Sequence, residues 1–316
     1  MKNKRGLEMG FGWMFAILAG MAILFLALFG VSQFIDTSQG EINTKIAAEF
    51  TNVLDPLQTS VSESSGNSIT LPAESRIFTS CNLDNGFGET RVRFSEKIGF
   101  RDEWSAIGGD VSTENSYLFA EDEMEGKKVG FFIFPFDMPY KTGDVLVAYT
   151  DNYCFVDAPF AIQKELEDLM KEGNEDIIFV GSSSECPSET KEVCFSGSCD
   201  IRVQCEDGCS RGYVRKDGSQ NYFVDKLLYG AIFSSLDNYE CNAHRLINRL
   251  ASVSGIYAKK SQFVSSRGCV NLIVAQDVIV LKESAENYEN PDDLASMKII
   301  AERIENKNEE LECQLY

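Results

Sequence analysis

The residues from Phe11 to Ile35, FGWMFAILAGMAILFLALFGVSQFI, limit what this chain can fold into more than any other stretch. They carry no charge, and the polar side chains Ser32 and Gln33 lie at the far end. At ~1.5 Å of rise per residue a helix here reaches ~37 Å, against a hydrocarbon core ~30 Å thick. A helix of that length that is apolar on all sides suits a bilayer better than a soluble core. Residues 11–35 are therefore expected to form a transmembrane helix.

The flanks set its orientation. Lys2, Lys4 and Arg5 precede the span, opposed by Glu8, while Asp36 and Glu41 follow it before the first cation, Lys45. Positive charge near a span end is retained in the cytoplasm, so residues 1–10 read as a cytoplasmic basic tail and the bulk of the chain as extracytoplasmic. A cleaved secretory signal would have an apolar region of only ~7–15 residues ending in a small-x-small site. Gly30-Val31-Ser32 is a poor match, so the expectation is a retained single-pass anchor in the cell membrane.

Cysteine usage agrees with that side of the membrane. All ten cysteines, Cys81, Cys154, Cys186, Cys194, Cys199, Cys205, Cys209, Cys241, Cys269 and Cys313, follow the span. An even count outside the membrane reads as disulfides in an oxidising compartment. No Cys-x-x-Cys occurs and His244 is the only histidine, so zinc-site spacing is absent and no metal or cofactor is expected. The five thiols of 186–209 cannot all pair among themselves. Ten cysteines allow about 945 pairings; the single preferred pair is Cys241–Cys269, which would bracket one helix and its turn.

The formal charge of −20 becomes −22 once Lys2, Lys4, Arg5 and Glu8 are set aside. So acidic a surface repels phosphate backbones and anionic headgroups, which excludes nucleic acid as an expected partner.

Beyond the span, residues 36–68 divide into an amphipathic helix and a Ser-rich linker. After a polar break at Asp36–Gly40, the stripe Ile42, Ile46, Phe50, Val53, Leu57, Val61 recurs every three or four residues. Pro56 should bend or end this helix, and SVSESSGNS (60–68) reads as the linker. Residues 69–316 are expected to be one extracytoplasmic domain with a cysteine-rich insertion at 186–209. Its first portion is strand-rich, with short β-branched and aromatic runs through Phe155. The run Phe131, Phe132, Phe134, Phe136 is expected in a sheet core. Asp157 and Pro159 open a helix carrying Ile162, Leu166, Leu169 and Met170, ended by Gly173-Asn174 and followed by a strand at 176–180, which makes a β-α-β crossover. Within the insertion, Asp200–Gln204 reads as a strand, and Lys216-Asp217-Gly218 as the turn that closes it. The C-terminal portion reads as helices over 222–236 and 238–257, a strand over 270–281, and a last helix after Asn290-Pro291 with Leu294, Met297, Ala301, Ile304 and Leu311 on one face. The fold class is thus an α/β (or α+β) disulfide-bonded ectodomain on a single N-terminal transmembrane helix.

Lys4-Arg5-Gly6 ahead of a long apolar helix, an amphipathic extension and a globular head is similar to type IV pilin-like proteins. The resemblance spans about the first sixty residues. It implies processing between Gly6 and Leu7, and an assembly role. That family places a Glu at the fifth position after the cut, where this chain has Phe11, with Glu8 at the second.

Site chemistry is sparse. Cys241, His244 and Arg245 lie together on a predicted helix, but a Cys–His couple requires a free thiolate. No Gly-x-Ser-x-Gly is present. Glu121-Asp122-Glu123 with Glu125 lacks the ligand order of a calcium loop. No catalytic residue is assigned. The sequence favours a membrane-anchored structural or binding protein whose protein partner it does not name, with the bilayer contacted through 11–35 and self-association open. A pilin-like assembly subunit and a surface hydrolase are the alternatives.

Overall fold

A computed structural model describes residues 11–59, 63–84, 86–98, 103–170, 176–268 and 272–316; within these, the side chains of 11, 12, 28, 30–39, 53–59 and 272–273 are not described. The first element among the described residues is one helix, α1 (Phe11–Thr59), 49 residues long. It runs without interruption through 36–40, where a polar break was expected, and continues past Pro56 to Thr59. Backbone hydrogen bonds within a helix need no apolar side chains, so polar composition alone does not break a helix. Ser65–Ser68, assigned above to the linker, instead opens the first strand.

Two sheets follow. The first holds β1 (Ser65–Asn82), β2 (Glu89–Ile98), β3 (Glu103–Trp104), β4 (Val111–Thr113), β5 (Leu118–Phe119), β6 (Glu123–Asp137) and β7 (Lys141–Tyr149). Its order is β3-β2-β1-β6-β7-β5, with β4 beside β2. Most pairs are antiparallel, and β5–β7 is parallel. Both faces are covered, which explains why β6 reads as a continuous apolar run. Phe131 and Ile133 point to one core with Ile77, Val92, Phe94, Ala47 and Phe50. Phe132, Phe134 and Phe136 point to the other, larger core.

The second sheet is built from β8 (Tyr153–Val156), β9 (Ile177–Val180), β10 (Lys191–Cys194), β11 (Ile201–Glu206), β12 (Arg211–Lys216) and β13 (Ser219–Val224), in the order β13-β12-β11-β10-β8-β9. β8 and β9 run parallel, joined by α2 (Phe160–Leu169), which is the expected crossover. Asp157 does not cap that helix; Pro159 occupies the cap position, and Asp157 takes a left-handed φ of 55°. The β12–β13 hairpin turns at Asp217 and Gly218, with φ of 52° and 75°, as a two-residue turn matched to strand twist requires.

The C-terminal part is α3 (Leu227–Phe233), α4 (Leu236–Ser266), α5 (Leu272–Glu286) and α6 (Leu294–Glu309). Tyr222–Val224, expected in a helix, belongs to β13, and the break before α4 falls at Ser235, whose side chain caps Asn238 N. Residues 270–271 of the expected strand 270–281 lie outside the described residues, and 272–281 belong to α5. Its buried residues Val274, Val278, Leu281 and Ala285 recur at four, three and four residues, a helical stripe packed among α4 and α6 that outweighs β-branched composition. Asn290 and Asp293 form a reciprocal capping box ahead of α6, where Leu294, Met297, Ala301 and Ile304 are buried; Leu311 lies past its end.

Four disulfides join described cysteines: Cys81–Cys241, Cys154–Cys186, Cys194–Cys199 and Cys205–Cys209. Cys313 is disulfide-bonded as well. Cys241 is therefore paired with Cys81, 160 residues earlier, rather than with Cys269, which lies outside the described residues. Proximity in sequence misleads here, because packing of α4 against the first sheet brings Cys241 to the end of β1. Cys186 reaches out of its cluster to Cys154, so the odd thiol of 186–209 is used.

Among the described residues no helix is long and apolar enough to cross a membrane.

Candidate functional site

The first candidate is α1 itself, whose two halves meet different surroundings. From Trp13 to Phe29 its described large apolar side chains are exposed on every side, Phe15, Ile23 and Phe25 by 68%, 68% and 69%. From Asn43 to Thr51 the helix is seated on the first sheet. The buried side chains there are Asn43, Ala47, Phe50 and Thr51, while Ile42 is exposed. Of the expected stripe, Phe50 is buried and Ile46 packs partly buried against the same core, whereas Ile42 is exposed, so the covered face is rotated toward Asn43 and Ala47. Val53 and Leu57 have no described side chains, and Val61 lies outside the described residues.

Two local features cause the rotation. Asn43 Nδ2 donates to Ser105 Oγ (2.8 Å) and Ala106 O (2.7 Å), and Gly109 N donates to Thr44 Oγ1 (2.7 Å). Gly108 lies so close to α1 that a Cβ would stand 2.7 Å from Thr44 N. Phe50 then fits between Phe94 and Phe131, with ring centroids at 5.2 and 5.5 Å.

A second constellation runs along α4. Asn238, Asn242 and Arg245 are buried polar residues on one face of the helix. Arg245 donates to carbonyls of Phe87, Gly88, Glu114 and Ser116 and to the side chains of Thr90 and Asn242, at 2.7–3.3 Å. Its partners are neutral, and burial lowers its pKa to about 10. Asn242 donates to Leu118 O and Asn238 Oδ1, and Asn238 to Thr79 Oγ1. This ladder fastens the helices to the first sheet beside Cys81–Cys241. The sequence singled out Arg245 only as a neighbour of His244, although polar residues at 238, 242 and 245 amid apolar ones are the signature of a buried polar stripe.

His244 faces the other way, into a cleft of about 250 Å³ shared with Tyr288, and its ring meets Tyr288 edge-on at 5.2 Å. Burial pushes its imidazole below the ordinary value. With Cys241 locked in a disulfide, no thiolate is available to form the Cys–His couple.

The acidic run is already engaged by side chains of the fold. Glu121 pairs with Lys216 (3.1 Å) and Lys191 (3.5 Å), Glu123 and Glu125 with Arg76 (3.4 and 3.0 Å), and Asp122 accepts from Ser235 Oγ (2.5 Å). Among the described residues, one group, Glu192, Cys194 and Cys199, brings ligand atoms close enough to share a metal ion. Its two sulfurs are bonded to each other, so it offers no thiolates. Gly6 and Leu7 lie outside the described residues.

No family model, curated protein or solved structure matches this chain.

Proposed function

We propose that the chain is a single-pass, membrane-anchored extracytoplasmic protein with a structural or binding role, its head continuous with its anchor through α1. The observation that carries this reading is the all-round exposure of large apolar side chains from Trp13 to Phe29. A water-facing helix with no polar side is costly, and lipid is the solvent that removes the cost. Support comes from the uncharged stretch 11–35, the basic residues ahead of it, and the disulfides, which persist in an oxidising compartment. The test is fractionation and protease treatment of intact cells. The protein should stay with membranes after alkaline washing and lose its head to external protease. Leu18→Lys with Leu24→Lys should release it, because each charge near a span centre costs ~2.5–3.5 kcal/mol. Retention of the double variant, or a head protected from protease, would overturn the reading.

A second reading, a pilin-like assembly subunit, is favoured by the unbroken course of α1 into an extension seated on an antiparallel sheet. N-terminal sequencing separates the two readings. A mature chain beginning at Leu7 supports the assembly subunit, and an uncut Gly6-Leu7 bond rejects it.

A further inference from the structure

A second cleft, of about 270 Å³, lies between α4 and the two loops that Arg245 ties down. It is lined by Phe87 from the loop before β2, Glu114 just past β4, Tyr117 just before β5, and Arg249, Val253 and Ile256 of α4. Its walls are fixed in advance. The Arg245 guanidinium donates to the carbonyls of Phe87, Gly88 and Glu114 and lies 5.0 Å from the centre of the Tyr117 ring. Arg249 and Glu114 bring opposite charges to this one cleft, and neither forms an ion pair among the described residues. Arg249 also feels the Asp144 carboxylate, but Asp144 is already paired with Lys141 at 3.0 Å. Phe87 and Ile256 expose apolar surface beside these charges, at 47% and 65%.

The second observation is Tyr117. It is 3% exposed, and its hydroxyl has no hydrogen-bond partner among the described residues. Unlike the hydroxyls of Tyr288 and Tyr316, it is not sealed from solvent. Tyr117 lines the cleft, so the little surface it retains opens there. A hydroxyl so enclosed must find its partner in whatever enters from that side. The mixture of groups selects the occupant. A simple anion would meet Glu114 and a simple cation Arg249, while a wholly apolar molecule would cover both charges and the hydroxyl without satisfying them. An apolar α-amino acid answers all of them. Its carboxylate matches the guanidinium fork of Arg249, its ammonium pairs with Glu114, and its side chain covers Phe87, Val253 and Ile256. The volume, just under that of drug-sized pockets, suits one such molecule.

We propose that this cleft binds a free zwitterionic amino acid with an apolar side chain, through Arg249, Glu114 and the Tyr117 hydroxyl. The site supplies a ligand class for the binding role proposed above and does not depend on the anchor.

The test is equilibrium dialysis of isotopically labelled leucine and phenylalanine against the full-length protein in lipid nanodiscs, with empty nanodiscs as the blank. The expected result is saturable binding of at least one of them, with Kd on the order of 0.1 mM. Glycine, which lacks the apolar side chain, N-acetyl-leucine, which lacks the ammonium, and leucinamide, which lacks the carboxylate, should each bind more weakly by about tenfold or more. Arg249→Gln should weaken leucine binding to a similar degree, and Tyr117→Phe should weaken it while keeping the ring that packs on Arg245. An unchanged melting temperature and an intact Cys81–Cys241 bridge would show that each variant folds. No saturable binding of leucine or phenylalanine, equal binding of glycine, N-acetyl-leucine or leucinamide, or undiminished binding by either folded variant would overturn the proposal. Binding is measured on the purified protein and anchoring on cells, so failure of one is distinct from failure of the other.

Discussion

Replacing Phe50 by Ala tests whether the lower half of α1 belongs to the head. Phe50 is 4% exposed and its ring lies against Phe94 and Phe131. The pocket is bounded by a sheet and by a helix pinned through Asn43, so it can collapse little after truncation. The cost should therefore fall in the usual Phe→Ala range of ~3–5 kcal/mol. For a domain this large, ~2–4 °C per kcal/mol converts that to a melting-temperature drop of roughly 6–20 °C. The assay is thermal unfolding of the full chain in detergent, followed by near-ultraviolet circular dichroism, with hydrogen exchange of amides 43–51 as a local probe. Ile42→Ala is the control: Ile42 is 42% exposed, and its truncation should stay within ~0.5 kcal/mol. If Phe50→Ala leaves both melting and exchange unchanged, the face of α1 that meets the sheet has been misassigned. An equal response from both variants would refute the rotated face in favour of the stripe through Ile42.

Arg245→Met should destabilise the head by ~3–5 kcal/mol in chemical denaturation, since it strands several buried carbonyls, and Arg245→Lys should not rescue it because a point charge cannot reach acceptors spread over two loops. Non-reducing peptide mapping should return Cys81–Cys241, and a Cys241–Cys269 peptide would refute the pairing; Cys81→Ser with Cys241→Ser should cost ~2–5 kcal/mol. Gly108→Val should loosen α1 from the sheet, seen as faster exchange at 43–51, because its side chain would collide with the helix backbone. The His244 resonance should titrate below the ordinary value. Because the unfolded chain then binds the proton more tightly, the His244 contribution to stability should fall as pH drops from 7 through that ordinary value, and His244→Gln should remove that part of the pH dependence.

The sequence alone determined the features that depend on local chemistry. Charge-free length at 11–35 set the expectation of a membrane anchor, β-branched and aromatic runs marked the strand-rich portion that holds β1, β2, β6 and β7, and helical stripes located α2 and α6. The Asp217-Gly218 pair located a hairpin turn, because few residue pairs accept left-handed backbone at two consecutive positions. Tertiary packing decided the rest. Whether 270–281 was strand or helix depended on which neighbours buried it, and α4 and α6 present helical surfaces. The face of α1 that meets the sheet was chosen by Asn43, Gly108 and the gap between two phenylalanines, none of which an apolar count records. The pairing of Cys81 with Cys241 and the cleft between His244 and Tyr288 join residues 160 and 44 positions apart, since a bridge or a pocket requires proximity in space that one-dimensional spacing does not encode.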